Sequence, residues 1–197
     1  MAAARLRVSH EELRPACAQV RAWLDRGVTP QRISVNRSLA QLRRSDLADT
    51  LCGVLEESGL ETRYLDVEVP EGIFIGRGHD HVYAALEGLH RRGVGIALDH
   101  FGTGSISLTN LRYWPVDRLK IDSSFVGGLE SNPADAAVVD LLIRLGSSLG
   151  LDVIAGGVET TEQSDFLRRH GCELGQGYLF ARPSSGGRVS AFLPPLS

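Results

Sequence analysis

The chain has 197 residues, 43% of them hydrophobic and 23% charged, a balance that suits one soluble domain with its own core. Its net charge of −3 gives no bulk attraction to nucleic acid polymers or to an anionic membrane, so function must be read from a site. Cys17, Cys52 and Cys172 are far apart and odd in number, which fits a reducing, cytoplasmic setting. The opening MAAARLRVSHEEL turns polar too early for a secretion signal, and apolar runs such as AAVVDLLI are broken by charge, so no signal peptide and no membrane span are expected.

Residues 1–9 read as an N-terminal tail, 10–192 as one domain and 193–197 as a C-terminal tail. Within the domain, helix-like and strand-like segments alternate. ELRPACAQVRAWLDRG has the apolar spacing of an amphipathic helix ending at Gly27, and RISVN follows as a β-branched strand. Ser45 to Ser58 is helical, RYLDVEV a strand, HVYAALEGLHRRG a helix stopped by Gly93, and VGIALD a strand. LTNLRYW is a short helix broken by Pro115, and DRLKID a strand. Ala134 to Leu149 is the longest helix, LDVIAG a strand, TTEQSDFLRRHG a helix capped by Thr160 or Thr161, and the ELGQGYLF region the sixth strand. Such alternation predicts parallel strands joined by crossover helices.

The phase of the polar residues is more informative. Leu65, Val67 and Val69 share one face of their strand and Asp66 and Glu68 the other; Val94, Ile96 and Leu98 oppose Gly95, Ala97 and Asp99. Ile33 and Val35 likewise oppose Ser34 and Asn36, and Leu119 and Ile121 oppose Arg118, Lys120 and Asp122. A parallel strand covered on both sides is apolar on both. A second face that is small or polar, with its polar group at the C-terminal end, is what a barrel lumen opening at its C-terminal mouth requires. On this phase Asn36, Glu68, Asp99, Lys120, Gln176 and Gly156 point to one mouth. The plainer readings are a turn role for Asn36 and an ion pair between Lys120 and Asp122. Glu68, set between valines, is harder to treat as merely structural, because a lone buried carboxylate is rare.

The segments ISVNRS, LDVEVPEG, LDHFGTGSISL, PVDRLKIDSSFV, VIAGGVETTEQ and GCELGQGYLFARP resemble, in order and spacing, the EAL-domain family of bacterial cyclic di-GMP phosphodiesterases, from about residue 10 to about residue 185. The resemblance implies an α/β fold, a modified TIM-like (β/α) barrel, and in active members two Mg²⁺ or Mn²⁺ ions that activate a water to open cyclic di-GMP to pGpG. It places Asn36, Glu68 and Asp99 on metal-ligand positions and Lys120 on the lysine that orients the water. Glu71 falls on the acid that steadies the loop after Asp99, and Gln176 on a late polar position of the ligand site.

Three departures stand out. No Glu-Ala-Leu tripeptide occurs in the chain, so a metal ligand and its neighbouring arginine are missing from the pattern. The family's LDDFGTG is LDHFGTG, with His100 at a metal-ligand position, and its AEGVET is AGGVET, with Gly156 in place of a glutamate. Loss of these acids is expected to leave no tightly bound metal and to make hydrolysis fail, since imidazole is a poor ligand for Mg²⁺. The expected function is therefore an inactive, N-terminally shortened EAL-like module acting through protein contacts. The alternatives are a cyclic di-GMP receptor that does not cleave, with weak binding, and an active phosphodiesterase completed by further N-terminal sequence. Six strands would leave the barrel open beside Ile33–Asn36 and Leu174–Tyr178, edges that residues Ala2 to Ser9, a second copy of the chain, a different protein or further upstream sequence would have to cover; a homodimer or a protein partner is the expectation.

Overall fold

A computed structural model describes residues 6–8, 11–28, 32–74, 79–104 and 111–182. It divides into two compact units, residues 4–69 with 78–96 and residues 70–77 with 97–182. Each is built from parallel strands with helices between them.

The first unit contains β1 (Leu6–Val8), α1 (Leu13–Asp25), β2 (Ile33–Asn36), α2 (Leu39–Leu42), α3 (Leu47–Glu57), most of β3 (Leu65–Pro70), and α4 (His79–Arg91). Leu13, Ala16, Cys17, Val20 and Trp23 recur at helical spacing along α1 and are all buried, which is why this stretch is helical and which face it turns to the strands. The helix stops where Gly27 takes φ +73°, a left-handed conformation that costs glycine nothing. Helix α2, which the sequence reading passed over, is started by a capping box in which the Ser38 hydroxyl accepts from the Gln41 amide and Gln41 Oε1 accepts from the Ser38 amide.

Among the described residues there are seven strands, one more than the six counted from the sequence. Leu6–Val8, read as part of a tail, pairs in parallel with β2 through Leu6↔Ile33, Arg7↔Ser34 and Val8↔Val35. The Ile33–Asn36 strand is therefore not the open edge that the sequence predicted: β1 takes up one side and β3 the other. A three-residue strand lies below the length at which alternation can be recognised, and this one carries Arg7 at its centre.

The second unit holds β4 (Gly95–Phe101, from Ala97 on), β5 (Arg118–Ile121), α5 (Ser123–Gly127), α6 (Pro133–Ser148), β6 (Asp152–Gly156), α7 (Thr161–Arg169) and β7 (Leu174–Gln176). Strands β4, β5, β6 and β7 pair in that order, all parallel. Thr160 caps α7 with a full capping box to Gln163, one of the two caps the sequence offered. The last strand is shorter than predicted. Beyond Gln176 the chain presses Gly177 against the backbone of Val158 so closely that no Cβ would fit, and Leu179 N–H donates to the Val158 carbonyl at 3.0 Å. Leu108, Thr109 and Asn110 of the predicted helix at LTNLRYW lie outside the described residues, and of the remainder only Leu111 is helical.

The polar phase of the strands is present in the structure. Ser34, Asp66, Glu68, Asp99, Arg118 and Lys120 are all buried, as are the apolar residues that alternate with them. In the first unit, Asp66 is fully buried and paired by Arg32 at 2.9 Å. Among the described residues no helix is long and apolar enough to cross a membrane. Cys17 and Cys172 are buried free thiols, pushed up to about 11 by burial, which makes them inert rather than nucleophilic.

Candidate functional site

In the first unit the C-terminal ends of β2 and β3 carry Asn36 and Glu68, which are direct register partners. Glu68 is buried and Asn36 exposed, and the ladder continues past them through Arg37 N–H to the Glu68 carbonyl at 2.8 Å. Two oxygen-bearing side chains are thereby placed side by side at a strand end.

In the second unit the decisive feature is a break in the β4–β5 register. Leu98 pairs with Leu119, but Phe101 pairs with Ile121, so Asp99 and His100 together stand opposite the single residue Lys120. This is a β-bulge, and His100 takes φ +56° within it. Regular pleating would send two consecutive side chains to opposite faces; the bulge lets both address one place. Asp99 Oδ1 lies 3.4 Å from Lys120 Nζ, and both side chains are buried. Asp99 Oδ2 lies 3.5 Å from His100 Nε2, and His100 Nδ1 is 2.5 Å from Asp122 Oδ2.

Lys120 thus pairs with Asp99, not with Asp122 as the plainer reading had it. Asp122, which shares the polar phase of Lys120, is a site residue that the sequence reading takes only as a partner for that lysine. Its other oxygen accepts from the Ser124 amide at 2.8 Å and caps α5. Burial pushes the Asp122 carboxyl up, but the hydrogen bonds from Ser124 and His100 outweigh it and hold the group down at about 2. A folded value below the ordinary 3.8 means that this contribution is complete above pH 3.8 and disappears as pH falls through about 2. The stability difference between the natural chain and Asp122→Asn is expected to shrink from about 2 kcal/mol at neutral pH toward zero over that window, as read by urea melts at each pH.

Glu71 follows β3 directly. Its Oε2 accepts from the amides of Gly102 and Gly104, each at 3.1 Å, and ties down the segment that leaves the bulge. A Cβ on Gly104 would stand 3.0 Å from the Glu71 carboxyl carbon, so glycine is what allows this approach. Gly156 and Gln176 are register partners on β6 and β7. Gly156 lies against β5: a Cβ there would be 2.9 Å from the Ile121 carbonyl oxygen, closer than real Cβ atoms come to backbone. Gly157, next along, has φ +72° and packs over Ser123.

Parallel strand–helix repeats with acids, amide and lysine at the C-terminal strand ends define an α/β protein of the TIM-like barrel class with its polar groups where such folds place their chemistry. The chain belongs to the EAL domain family, whose model matches residues 8–183. It is 42% identical over 168 residues to MucR of Pseudomonas aeruginosa, named a bifunctional diguanylate cyclase/cyclic di-GMP phosphodiesterase, covering 85% of this chain and 24% of that protein. It is 38% identical to the cyclic di-GMP phosphodiesterase NbdA of the same organism, over 92% of this chain and 23% of that one. The chain therefore spans about a quarter of the length of these relatives. Among solved structures, the EAL domain of Mycobacterium smegmatis DcpA matches with a TM-score of 0.85 at 35% identity, covering 95% of this chain and 88% of that one. The PaMucR phosphodiesterase in complex with c-di-GMP matches with a TM-score of 0.84 at 40% identity, covering 90% and 71%. Klebsiella pneumoniae BlrP1, solved with manganese and c-di-GMP, matches at 29% identity with a TM-score of 0.76, covering 89% and 44%.

Among the described residues no group of three or more His, Cys, Asp or Glu stands in an arrangement that could hold a metal ion. His100 is bonded to Asp122, and Gly156 supplies no ligand.

Proposed function

We propose that this is a catalytically silent EAL domain that serves cyclic di-GMP signalling as a regulatory module through protein contacts. The observation that carries the reading is Gly156: where the family pattern has a glutamate, this chain has a residue whose backbone is packed so close to Ile121 that even a Cβ is excluded. A site lacking that carboxylate, with His100 at a second acid position, has too little negative charge to hold two divalent cations. Incubation of the purified chain with cyclic di-GMP and Mn²⁺ or Mg²⁺, followed by chromatography, is expected to give no pGpG. Turnover near 1 per second, abolished by Glu68→Ala, would establish a phosphodiesterase instead. The same samples in a calorimeter test the receptor reading: a sub-micromolar dissociation constant weakened by Asn36→Ala or Gln176→Ala would favour it.

The contact surface we propose is the free side of β7, occupied by a second copy of the chain. Among the described residues β7 pairs only with β6. Tyr178 and Leu179, just beyond it, are 55% and 36% exposed. Sheet edges beside exposed aromatics favour strand addition. Light scattering is expected to report a dimer, and Gly175→Pro, which removes a backbone donor from the edge strand, should weaken it; a monodisperse monomer counts against this surface.

A further inference from the structure

We infer that His100 is a built-in block to divalent cations at the end of β4, so that the site rejects metal through an added contact and not only through missing acids. The bulge aims Asp99 and His100 at the same place, and the imidazole there lies between two carboxylates. Nδ1 donates to Asp122 Oδ2 at 2.5 Å, and Nε2 faces Asp99 Oδ2 at 3.5 Å. The remaining oxygens are engaged as well. Asp122 Oδ1 accepts from Ser124 N–H at 2.8 Å, and Asp99 Oδ1 faces Lys120 Nζ at 3.4 Å and the His100 N–H at 3.1 Å.

A hard cation needs several oxygens at about 2.0–2.6 Å with their lone pairs directed inward. Here all four carboxylate oxygens are already turned to nitrogen, and the His100 side chain holds one oxygen of each carboxylate, the two that face each other across the imidazole. That side chain is 58% exposed, so removing it leaves no core cavity. The backbone also tolerates its removal: at φ +56°, glycine is at least as comfortable as histidine.

The test is Mn²⁺ binding, measured by calorimetry and by the electron paramagnetic resonance signal of free Mn²⁺, with folding of each variant checked by circular dichroism. His100→Gly is expected to bind Mn²⁺ at least about tenfold more tightly than the natural chain, a gain of about 1.4 kcal/mol. His100→Asp, which suits the same backbone and adds a carboxylate, should gain more. Adding Asp122→Asn to His100→Gly keeps the cap on α5 and should cancel the gain. The inference is overturned if the natural chain already binds Mn²⁺ as tightly as either folded variant, or if the gain survives Asp122→Asn. Its failure is separable from that of the silent-domain reading, which falls only if the natural chain produces pGpG.

Discussion

Glu71→Ala is expected to be the most damaging single substitution in the second unit, lowering stability by about 3–5 kcal/mol. The Glu71 side chain is 4% exposed, and its carboxylate accepts from two amides, those of Gly102 and Gly104. Hydrogen bonds to a charged group contribute about 1.5–3 kcal/mol each, and truncation leaves both amides without this acceptor. At about 2–4 °C per kcal/mol for a chain of this length, thermal melts should fall by about 10 °C. Glu71→Gln retains one oxygen in the same place and should lose less than half as much. A melt within about 2 °C of the natural chain for Glu71→Ala would show that the segment after the bulge is held by something else.

Placing an acid at position 156 should fail twice. Gly156→Glu places a Cβ 2.9 Å from the Ile121 carbonyl oxygen, and that oxygen belongs to a strand paired on both sides, so relief requires β5 and β6 to separate by some tenths of an ångström. Overpacking of this kind costs about 1–3 kcal/mol. Gly156→Ala isolates the Cβ from the carboxylate, and the two variants should lose similar stability, about 2 kcal/mol. Neither should convert cyclic di-GMP, because His100 still holds Asp122. Activity in Gly156→Glu alone, or an unchanged melt in both variants, would mean that the strands open readily and that the missing acid was the sole defect.

Much of the scaffold was legible because its signals are periodic. The buried positions of α1 follow helical spacing, and the alternation of Leu65, Val67 and Val69 with Asp66 and Glu68 marks a polar face from sequence alone. Register did the rest for Asn36 and Glu68, which adjacency on parallel strands brings together. What escaped was aperiodic. Strand β1 is too short to show alternation, and the four-residue helix α2 is defined by its cap rather than by a hydrophobic stripe. The bulge at Asp99–His100 shifts the phase by one residue, so counting alternate positions assigns His100 to the wrong face. The partnership of His100 with Asp122 depends on that shift and could not be read from either segment alone. The open edge predicted beside β2 rested on a strand count that was one short.

The bulge also bears on which substitutions each of these positions can absorb. A residue in a left-handed, solvent-facing position of a strand is nearly uncoupled from core packing, and aspartate, asparagine and histidine all tolerate that backbone. Exchange of an acid for histidine at position 100 therefore leaves the hydrophobic interior untouched while reversing what the neighbouring carboxylates face. Gly156 is the opposite case, locked against a neighbouring strand's backbone. Of the two positions, the outer one accepts an acid by a single substitution at little cost in folding, whereas the inner one acts as a ratchet: with the strands closed on glycine, the way to an acid passes through a less stable protein.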